Sequence, residues 1–281
     1  MDLTNIQTVH LILREYQLSA QKRLGQNFLV SREVLEKIIQ AAELQDTDEV
    51  LEIGAGLGTL TRELAQQSAR VIAIEKDVIL AKACRSINSD LTNIKVIEGN
   101  ALALENSFFK QYFPKGNYKL VANLPYYLTS AIIRFFLSNT YRPAMMVLMV
   151  QKEVAERIVA LPPMANLLSV AVQFYGKPDV VAIVPKQSFW PIPKVDSAII
   201  RIIPHSKLSR NIDESAFFRI IKAGFGERRK QLHNSLTGGL HLSNETAKKI
   251  LTKSGISPDR RAQTLTIPEW LKLYQSIKNY K

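Results

Sequence analysis

The sequence predicts an α/β fold, with a Rossmann-like sheet in its first two thirds and a small all-α domain after it. Short strands rich in β-branched residues alternate with helical patterns up to about residue 150. A glycine-rich turn follows the first of these strands, and only helical periodicity is left beyond residue 209. Alternation of strand and helix implies right-handed βαβ crossovers and therefore a parallel sheet.

The elements follow from local composition and spacing. Strands are predicted at 49–53, 70–75, 94–98, 118–122 and 143–151, and helices between or after them at 59–67, 77–87, 130–138, 151–160 and 165–175. Two further strands, DVVAIVP (179–185) and SAIIRIIP (197–204), are joined by the Pro-rich loop KQSFWPIPKVD, without a helix between them. We therefore expect an antiparallel hairpin at the sheet edge. Helices are predicted at 214–225, 228–236, 244–255 and 268–277. We place the domain boundary near 205–210, giving domains 1–207 and 208–281.

Composition narrows the class of protein. The 281-residue chain is 46% hydrophobic and 22% charged, which is ordinary for a globular protein. No apolar run approaches the roughly 18 to 20 residues that cross a bilayer. The N-terminus lacks the pattern of a secretory signal, and the single cysteine, Cys84, fits a reducing compartment and packing within a helix. We expect a cytoplasmic protein.

The charge is concentrated near the C-terminus. The net charge is +12, and residues 186–281 carry 18 Lys and Arg against 7 Asp and Glu. The remaining residues are nearly neutral, with 19 against 18. A segregated basic region predicts a polyanionic partner, either a nucleic acid or an acidic membrane surface. The helices lack a run of large apolar residues opposite the cations, which disfavours the membrane.

The stretch LEIGAGLGTLT (51–61) places Gly54, Gly56 and Gly58 in a turn between a strand and a helix. Glycine there allows positive φ and close approach of a ligand. The spacing G-x-G-x-G, with Thr59 after it, departs from the dinucleotide fingerprint G-x-G-x-x-G. By itself the turn is as consistent with a structural role as with ligand binding.

Two polar residues at later strand ends favour a ligand. Glu75 ends the second strand, 21 residues after Gly54, where a carboxylate can accept hydrogen bonds from ribose hydroxyls. Asn100 follows the third strand, where a carboxamide can read the edge of an adenine. The ligand is therefore expected to carry adenine and ribose.

The stretch NLPYYLTS (123–130) follows the fourth strand, at the carboxyl edge where open α/β sheets bind ligands. Pro125 holds the turn rigid, and the ring of Tyr126 can stack on a nucleobase. The side-chain oxygen of Asn123, with a backbone carbonyl, can accept both hydrogens of an exocyclic amine. In isolation, however, these residues could equally be a capped turn with tyrosines in the core.

Taken together and in this order, LEIGAGLGTLT, VIAIEKD, EGNAL and NLPYYLTS resemble the motifs of the ribosomal RNA adenine dimethyltransferases, and within them the bacterial small-subunit (16S) family. Further similar stretches are KRLGQNFLVS (22–31), QKEVAERI (151–158), FWPIPKVDSAII (189–200), FGERRKQLHNSL (225–236) and RRAQTLTIPEW (260–270). The resemblance implies an S-adenosylmethionine-dependent methyltransferase domain and a basic helical rRNA-binding domain. It also implies dimethylation of two adjacent adenosines near the 3′ end of small-subunit rRNA, with S-adenosylhomocysteine as product and a role in small-subunit biogenesis. The expected partners are small-subunit rRNA and the immature small subunit, bound by a monomer, without a metal or a membrane.

The resemblance also implies roles for individual residues. Residues 1–30 would form an N-terminal lid segment, with Asn27 and Leu29 over the cofactor. The other cofactor contacts would come from Gly54, Glu75, Asn100 and Asn123. The target amine would meet Asn123 and Leu124 beside Pro125, and the target base would lie between Tyr126 and Phe189. Arg228, Arg229 and Lys230 form the densest cluster of cations for RNA phosphates.

The chain departs from the family pattern in three places. Asn100 replaces the usual Asp, which removes charge assistance from that hydrogen bond. Tyr127 replaces Asn after the NLPY stretch, and Ala55 replaces Pro between the first two glycines.

Three alternatives remain open from the sequence. One is the related enzyme that methylates a large-subunit adenosine; the FWPIPKVDSAII and FGERRKQLHNSL stretches favour the small-subunit family instead. Another is a DNA adenine methyltransferase, disfavoured by Leu124 where such enzymes carry Pro. The last is a ribosome-assembly factor that binds immature subunits and whose methylation is incidental.

Overall fold

The computed structural model describes residues 2–18, 26–206, 212–227 and 229–280. They form two compact units, one of Met1–Ala155 with Gly176–Pro204 and one of Glu156–Tyr175 with His205–Lys281. The strands are β1 (Phe28–Leu29), β2 (Glu49–Ile53), β3 (Arg70–Glu75), β4 (Ile94–Glu98), β5 (Lys119–Asn123), β6 (Met145–Gln151), β7 (Gly176–Val184), β8 (Phe189–Trp190) and β9 (Ser197–Pro204). The helices are α1 (Ile6–Glu15), α2 (Arg32–Ala42), α3 (Thr59–Gln66), α4 (Val78–Ile87), α5 (Asn106–Tyr112), α6 (Thr129–Ser138), α7 (Lys152–Val159), α8 (Leu167–Tyr175), α9 (Glu214–Phe225), α10 (Leu232–Leu240), α11 (Asn244–Lys253) and α12 (Ile267–Lys278).

The first unit is built on a seven-stranded sheet in the order β4-β3-β2-β5-β6-β9-β7. Strands β2 to β6 are parallel, which confirms the predicted βαβ arrangement. Strand β9 runs antiparallel to both β6 and β7, so the predicted hairpin lies at the sheet edge. The order changes direction at β2, with β3 on one side and β5 on the other, and the carboxyl ends of these strands are where a ligand crevice is expected.

The central strands are buried on both faces, as parallel strands covered by helices must be. Strands β3 and β6 have almost entirely buried residues, and the helices α2, α3 and α4 pack their apolar sides onto the sheet. Cys84 is fully buried in α4, where burial raises the pKa of its thiol to about 12, so it is inert packing as expected.

Three helices and one small sheet were not among the predicted elements. Helix α2 begins after Ser31, whose side chain accepts from the backbone N–H of Val34, and α1 begins after the capping residue Asn5. Helix α5 was also missed. Strands β1 and β8 pair antiparallel, with Phe28 opposite Trp190. A two-residue strand leaves no periodic signal, because periodicity needs several residues to appear.

The second unit is helical, and it includes residues that the predicted boundary at 207–208 placed in the first domain. Residues 156–175 group with the C-terminal helices because α8 packs its aromatic end on α9. The rings of Phe174 and Phe217 lie 4.6 Å apart, and the hydroxyl of Tyr175 donates to Glu214 at 2.5 Å. The helix predicted at 228–236 begins later, at Leu232. None of the described helices combines the length and the apolar character needed to span a membrane.

Candidate active site

A cavity of about 560 Å³ lies at the carboxyl ends of β2, β3 and β5 and the turn after β4. This volume falls in the usual range for a small-molecule ligand. Every cofactor or base residue predicted for the first unit lines it: Asn27, Leu29, Gly54, Glu75, Asn100, Asn123, Leu124, Pro125, Tyr126 and Phe189. Residues separated by up to 162 positions in sequence are thus brought to one side of one sheet.

The glycine turn forms the floor of the cavity. The backbone of Gly54 has φ +78°, its amide donates to the carbonyl of Ile74 at 2.8 Å, and a Cβ there would lie 3.7 Å from the carbonyl oxygen of Asn123. Gly58 has φ +89°, and a Cβ there would lie 2.2 Å from Nδ2 of the buried Asn88. Both positions therefore require glycine, one for conformation and the other for conformation and space.

Glu75 is buried at the end of β3 and is fixed by the turn it faces. Its two carboxylate oxygens accept from the backbone N–H groups of Gly56 and Asp77, each at 2.9 Å. Burial raises the pKa of the Glu75 carboxyl, and these backbone hydrogen bonds partly oppose the shift. Each oxygen keeps a lone pair for a further donor, so a diol could bind the carboxylate inside the cavity.

Glu52 also lines the cavity, although it was not among the residues predicted to bind the donor. It is 1% exposed, and its Oε2 has no hydrogen-bond partner among the described residues. Burial, with the nearby charge of Glu75, raises the pKa of the Glu52 carboxyl to about 8, against the effect of a hydrogen bond from Thr61. The carboxyl is mostly protonated at neutral pH. A carboxyl inside the apolar run VLEI was the signal that could have identified it.

Asn100 caps the short 3₁₀ turn Ala101–Ala103, and its Oδ1 accepts from the backbone N–H of Leu102 at 3.1 Å. This hydrogen bond fixes the carboxamide at the edge of the cavity. The residue is exposed, so its remaining hydrogen-bonding positions are accessible to a ligand.

Asn123 is held by the N-terminal part of the chain. Its Nδ2 donates to the backbone carbonyl of Asn27 at 3.3 Å. That contact uses the donor end of the carboxamide and leaves the acceptor Oδ1 for an incoming N–H. The next residue is fixed as well, because the amide of Leu124 donates to the carbonyl of Met149 at 3.3 Å.

The two aromatic residues predicted to hold a base both line the cavity. The hydroxyl of Tyr126 is hydrogen-bonded to Oγ of Ser197 at 2.8 Å, and burial raises the pKa of that phenol. Phe189 is 2% exposed and pairs in β8 opposite Leu29. Both residues are therefore anchored, which leaves their rings little rotational freedom to lose on contact with a ligand.

The predicted basic cluster lies in the second unit. Arg228 falls outside the described residues. Arg229 and Lys230 are exposed, and Lys230 forms an ion pair with Glu227 at 2.6 Å. The described residues contain no group of three or more His, Cys, Asp and Glu able to hold a metal ion.

Three features together define the class of protein: the sheet order, the glycine turn that faces a buried carboxylate at a strand end, and the Asn-Leu-Pro-Tyr turn on the same sheet edge. They are those of a Rossmann-like methyltransferase that uses S-adenosylmethionine. The family model described as ribosomal RNA adenine dimethylase matches residues 17–279. The chain belongs to this family, and it is an rRNA adenine dimethyltransferase.

Curated relatives and solved structures agree with this assignment. A ribosomal RNA small subunit methyltransferase A of Dehalococcoides mccartyi (strain CBDB1) is 46% identical over 264 residues, covering 93% of this chain and 90% of the relative. The protein of that name from Clostridioides difficile (strain 630) is 38% identical over 270 residues, covering 95% and 93%.

Among solved structures, a dimethyladenosine transferase from Plasmodium falciparum has a TM-score of 0.74 and 28% identity, covering 89% of this chain and 97% of that chain. The 23S rRNA methyltransferase ErmE has a TM-score of 0.70 and 27% identity, covering 90% and 100%.

Proposed function

We propose that this protein dimethylates two adjacent adenosines near the 3′ end of small-subunit rRNA. The observation that carries the proposal is the position of Asn123, whose carboxamide lies in the same cavity as Glu75 and the glycine turn. The small-subunit target is supported by relatives at 37–46% identity that are named small-subunit methyltransferases, against 27% identity to the 23S enzyme ErmE.

The residues of the cavity fit the donor. The carboxylate of Glu75 can accept from the ribose hydroxyls, Asn100 lies at the edge where the adenine would bind, and Gly54 permits close approach of the methionine part. Asn27 and Leu29 cover the cavity from the N-terminal side. When bound, S-adenosylmethionine supplies a methyl group on a positively charged sulfur. The sulfur becomes a neutral thioether leaving group, so no general acid is needed.

The protein then has to hold the amine in line with that methyl group. Oδ1 of Asn123 and the backbone carbonyl of Leu124 accept the two N–H groups of the adenine, which directs the nitrogen lone pair out of the ring plane. Tyr126 and Phe189 hold the ring from its two faces. Catalysis then rests on alignment and on fixed acceptors, and the alkylated amine releases its proton to water without a strong base.

The adenosine must leave any stack to enter the cavity, which is cheapest in a loop or a single strand. Dimethylation of two adenosines takes four transfers, each with a fresh donor molecule. We propose that a monomer acts on the immature small subunit in the cytoplasm.

The direct test is incubation with labelled S-adenosylmethionine and under-methylated small subunits, followed by mapping of the labelled nucleotides. Large subunits lacking their adenine methylation serve as the parallel substrate. Label on two adjacent adenosines near the 3′ end of the small-subunit rRNA is expected. Label confined to the large-subunit rRNA would overturn the assignment.

We also propose that Arg228, Arg229 and Lys230 contact RNA phosphates. Their exposure supports this for the two residues that the structure describes, Arg229 and Lys230. Replacing all three by Ala is expected to reduce the slope of log affinity against log salt by roughly 2 to 3, since each phosphate contact contributes about 0.7 to 0.9. A variant with Lys at 228 and 229 and Arg at 230 keeps the charge and is expected to keep the slope. An unchanged slope in the Ala variant would contradict the assignment.

A further inference from the structure

The small sheet of β1 and β8 joins the donor side of the cavity to the base side. Leu29, on β1, lies opposite Phe189, on β8, and the amide of Val30 donates to the carbonyl of Ser188 at 2.8 Å. Strand β1 contributes Leu29 to the lining of the cavity, and β8 contributes Phe189, the ring proposed to hold the target base. A displacement of either strand must therefore be transmitted to the other.

The same segment also holds the second contact to the target. The carbonyl of Asn27, one residue before β1, accepts the donor end of the Asn123 carboxamide at 3.3 Å. The orientation of that carboxamide decides whether an acceptor or a donor faces the adenine amine. The residues before and within β1 therefore contact both residues proposed to bind the adenosine, Phe189 and Asn123.

Trp190 fixes this arrangement against helix α1. Its ring lies 4.4 Å from that of His10 at an interplanar angle of 73°, and 6.4 Å from that of Phe28 at 18°. Nε2 of His10 is buried without a hydrogen-bond partner among the described residues, so His10 contacts Trp190 at the cost of an unsatisfied polar atom.

The surrounding cluster extends to the walls of the donor cavity. It contains Val9, Ile12 and Leu13 of α1 together with Leu57 of the glycine turn and Leu80 of α4. Leu57 and Leu80 also line the cavity. The packing that includes Trp190 is therefore continuous with the donor site.

We propose that Trp190 is a positioning residue that couples the two halves of the active site, so that donor and target base each strengthen the binding of the other. A donor resting against Asn27 and Leu29 fixes β1, and β1 in turn fixes Phe189 and the Asn123 carboxamide. Because linkage is reciprocal, the bound base must raise donor affinity by the same factor. The part of the proposal that concerns the base rests on the proposed function, whereas the part that concerns the donor does not.

The coupling is measured with the full-length protein. The affinity of under-methylated small subunits is determined with and without saturating S-adenosylhomocysteine, and the ratio of the two affinities is the coupling factor. We expect at least about fivefold for the unaltered protein, the lower end of typical couplings. Trp190→Ala is expected to bring the ratio close to 1, and Trp190→Phe, which keeps a ring between His10 and Phe28, is expected to restore most of it. A ratio close to 1 in the unaltered protein, or an undiminished ratio in Trp190→Ala, would overturn the proposal.

The donor arm needs no RNA. S-adenosylhomocysteine is expected to change the tryptophan emission of the unaltered protein, and this change is expected to vanish in Trp190→Phe, which leaves only Trp270. An equal emission change in Trp190→Phe would exclude Trp190 as part of the donor response. Should small subunits fail to bind while this emission change is present, the proposed substrate is wrong and the donor half of the coupling stands.

His10→Ala is the second variant, because it removes the ring contact with α1 without altering the paired strands. It is expected to lower the coupling factor while leaving the thermal unfolding transition cooperative. If Trp190→Ala does not fold, His10→Ala decides the question: an unchanged coupling factor in that variant overturns the proposal.

Discussion

Replacing Glu75 by Gln tests the donor site with the smallest change of shape. The carboxylate accepts two backbone N–H groups, from Gly56 and Asp77. A carboxamide has a single acceptor oxygen, so its NH₂ must face either one of those N–H groups or a ribose hydroxyl. The variant loses charge assistance toward the ribose in either orientation.

The expected loss of affinity follows from those hydrogen bonds. A hydrogen bond to a charged acceptor contributes about 1.5 to 3 kcal/mol and a neutral one about 0.5 to 1.5 kcal/mol. A net loss of about 1.4 to 2.8 kcal/mol in binding free energy corresponds to a Kd for S-adenosylhomocysteine raised about 10- to 100-fold. Titration calorimetry at 25 °C measures the Kd, and thermal unfolding without ligand shows whether the variant is folded.

Glu98→Gln is the matched control. Glu98 lies opposite Glu75 in the register of β3 and β4, but it is exposed and is not among the residues that line the cavity. Its replacement is expected to leave the Kd within about twofold. The reasoning fails if folded Glu75→Gln binds within twofold of the unaltered protein, or if Glu98→Gln weakens binding as much.

The pH dependence of binding gives the same residue a second test. In the proposed donor site the ribose hydroxyls bind the ionised carboxylate, and burial raises the pKa of Glu75 above its ordinary value of 4.5. Affinity should therefore begin to fall on acidification at a pH above 4.5, and this part of the dependence should be absent in Glu75→Gln. A pH profile that is identical in the two proteins would show that Glu75 does not titrate with binding.

Three further predictions concern the turn, the buried carboxyl and the catalytic amide. Gly58→Ala is expected to lower the free energy of unfolding, measured by urea denaturation, by about 2 to 4 kcal/mol, because the new Cβ would combine left-handed backbone strain with overlap with Asn88. The control Gly116→Ala has φ +66° but open space around the Cβ, so it should lose only about 1 to 2 kcal/mol. Equal losses in the two variants would refute the overlap. Glu52 has an ordinary pKa of 4.5 and a pKa of about 8 in the folded protein, so between these pH values it carries a proton in the native state only. The free energy of unfolding should therefore fall as pH rises through this window, and Glu52→Gln should remove this pH dependence. A pH dependence retained in the variant would assign it to other groups. Asn123→Ala is expected to slow single-turnover methyl transfer by roughly 10² to 10³, the typical effect of losing one fixed transition-state contact, while changing the Kd for S-adenosylhomocysteine less than about fivefold; near-normal transfer would remove Asn123 from the mechanism.

The sheet could be predicted from the sequence because its signals are local. Strands β2, β3 and β4 have the predicted bounds, since each is a short β-branched run between turn residues. The sequence also predicted that Gly54, Glu75 and Asn123 lie at the same edge of the sheet, because parallel strands end at a common edge.

What escaped prediction depends on contacts distant in sequence. The pairing of Leu29 with Phe189 joins two segments 160 residues apart, and neither dipeptide shows a strand period. The grouping of 156–175 with the C-terminal helices depends on rings such as Phe174 and Phe217, which read from sequence only as apolar helix faces. Helix α2 is different: its capping Ser31 and apolar spacing were present in the sequence and were overlooked.

The raised pKa of the Glu52 carboxyl could not be inferred from its residue type alone. A carboxyl at the end of a strand is usually solvated, and its pKa depends on whether a neighbour covers it. Here Glu52 is 1% exposed, so the charge of its carboxylate is disfavoured, whereas two backbone N–H groups partly oppose the effect of burial on the neighbouring Glu75.

The crystal structure of the protein with S-adenosylhomocysteine and an adenine-containing RNA strand examines the meeting of methyl donor and amine most directly. The ribose is expected against the carboxylate of Glu75, with the sulfur on the Asn123 side and an unstacked adenine beside Tyr126. Electron density for the ligand at any other place, or an adenine whose amine lies out of reach of Asn123, would contradict the mechanism.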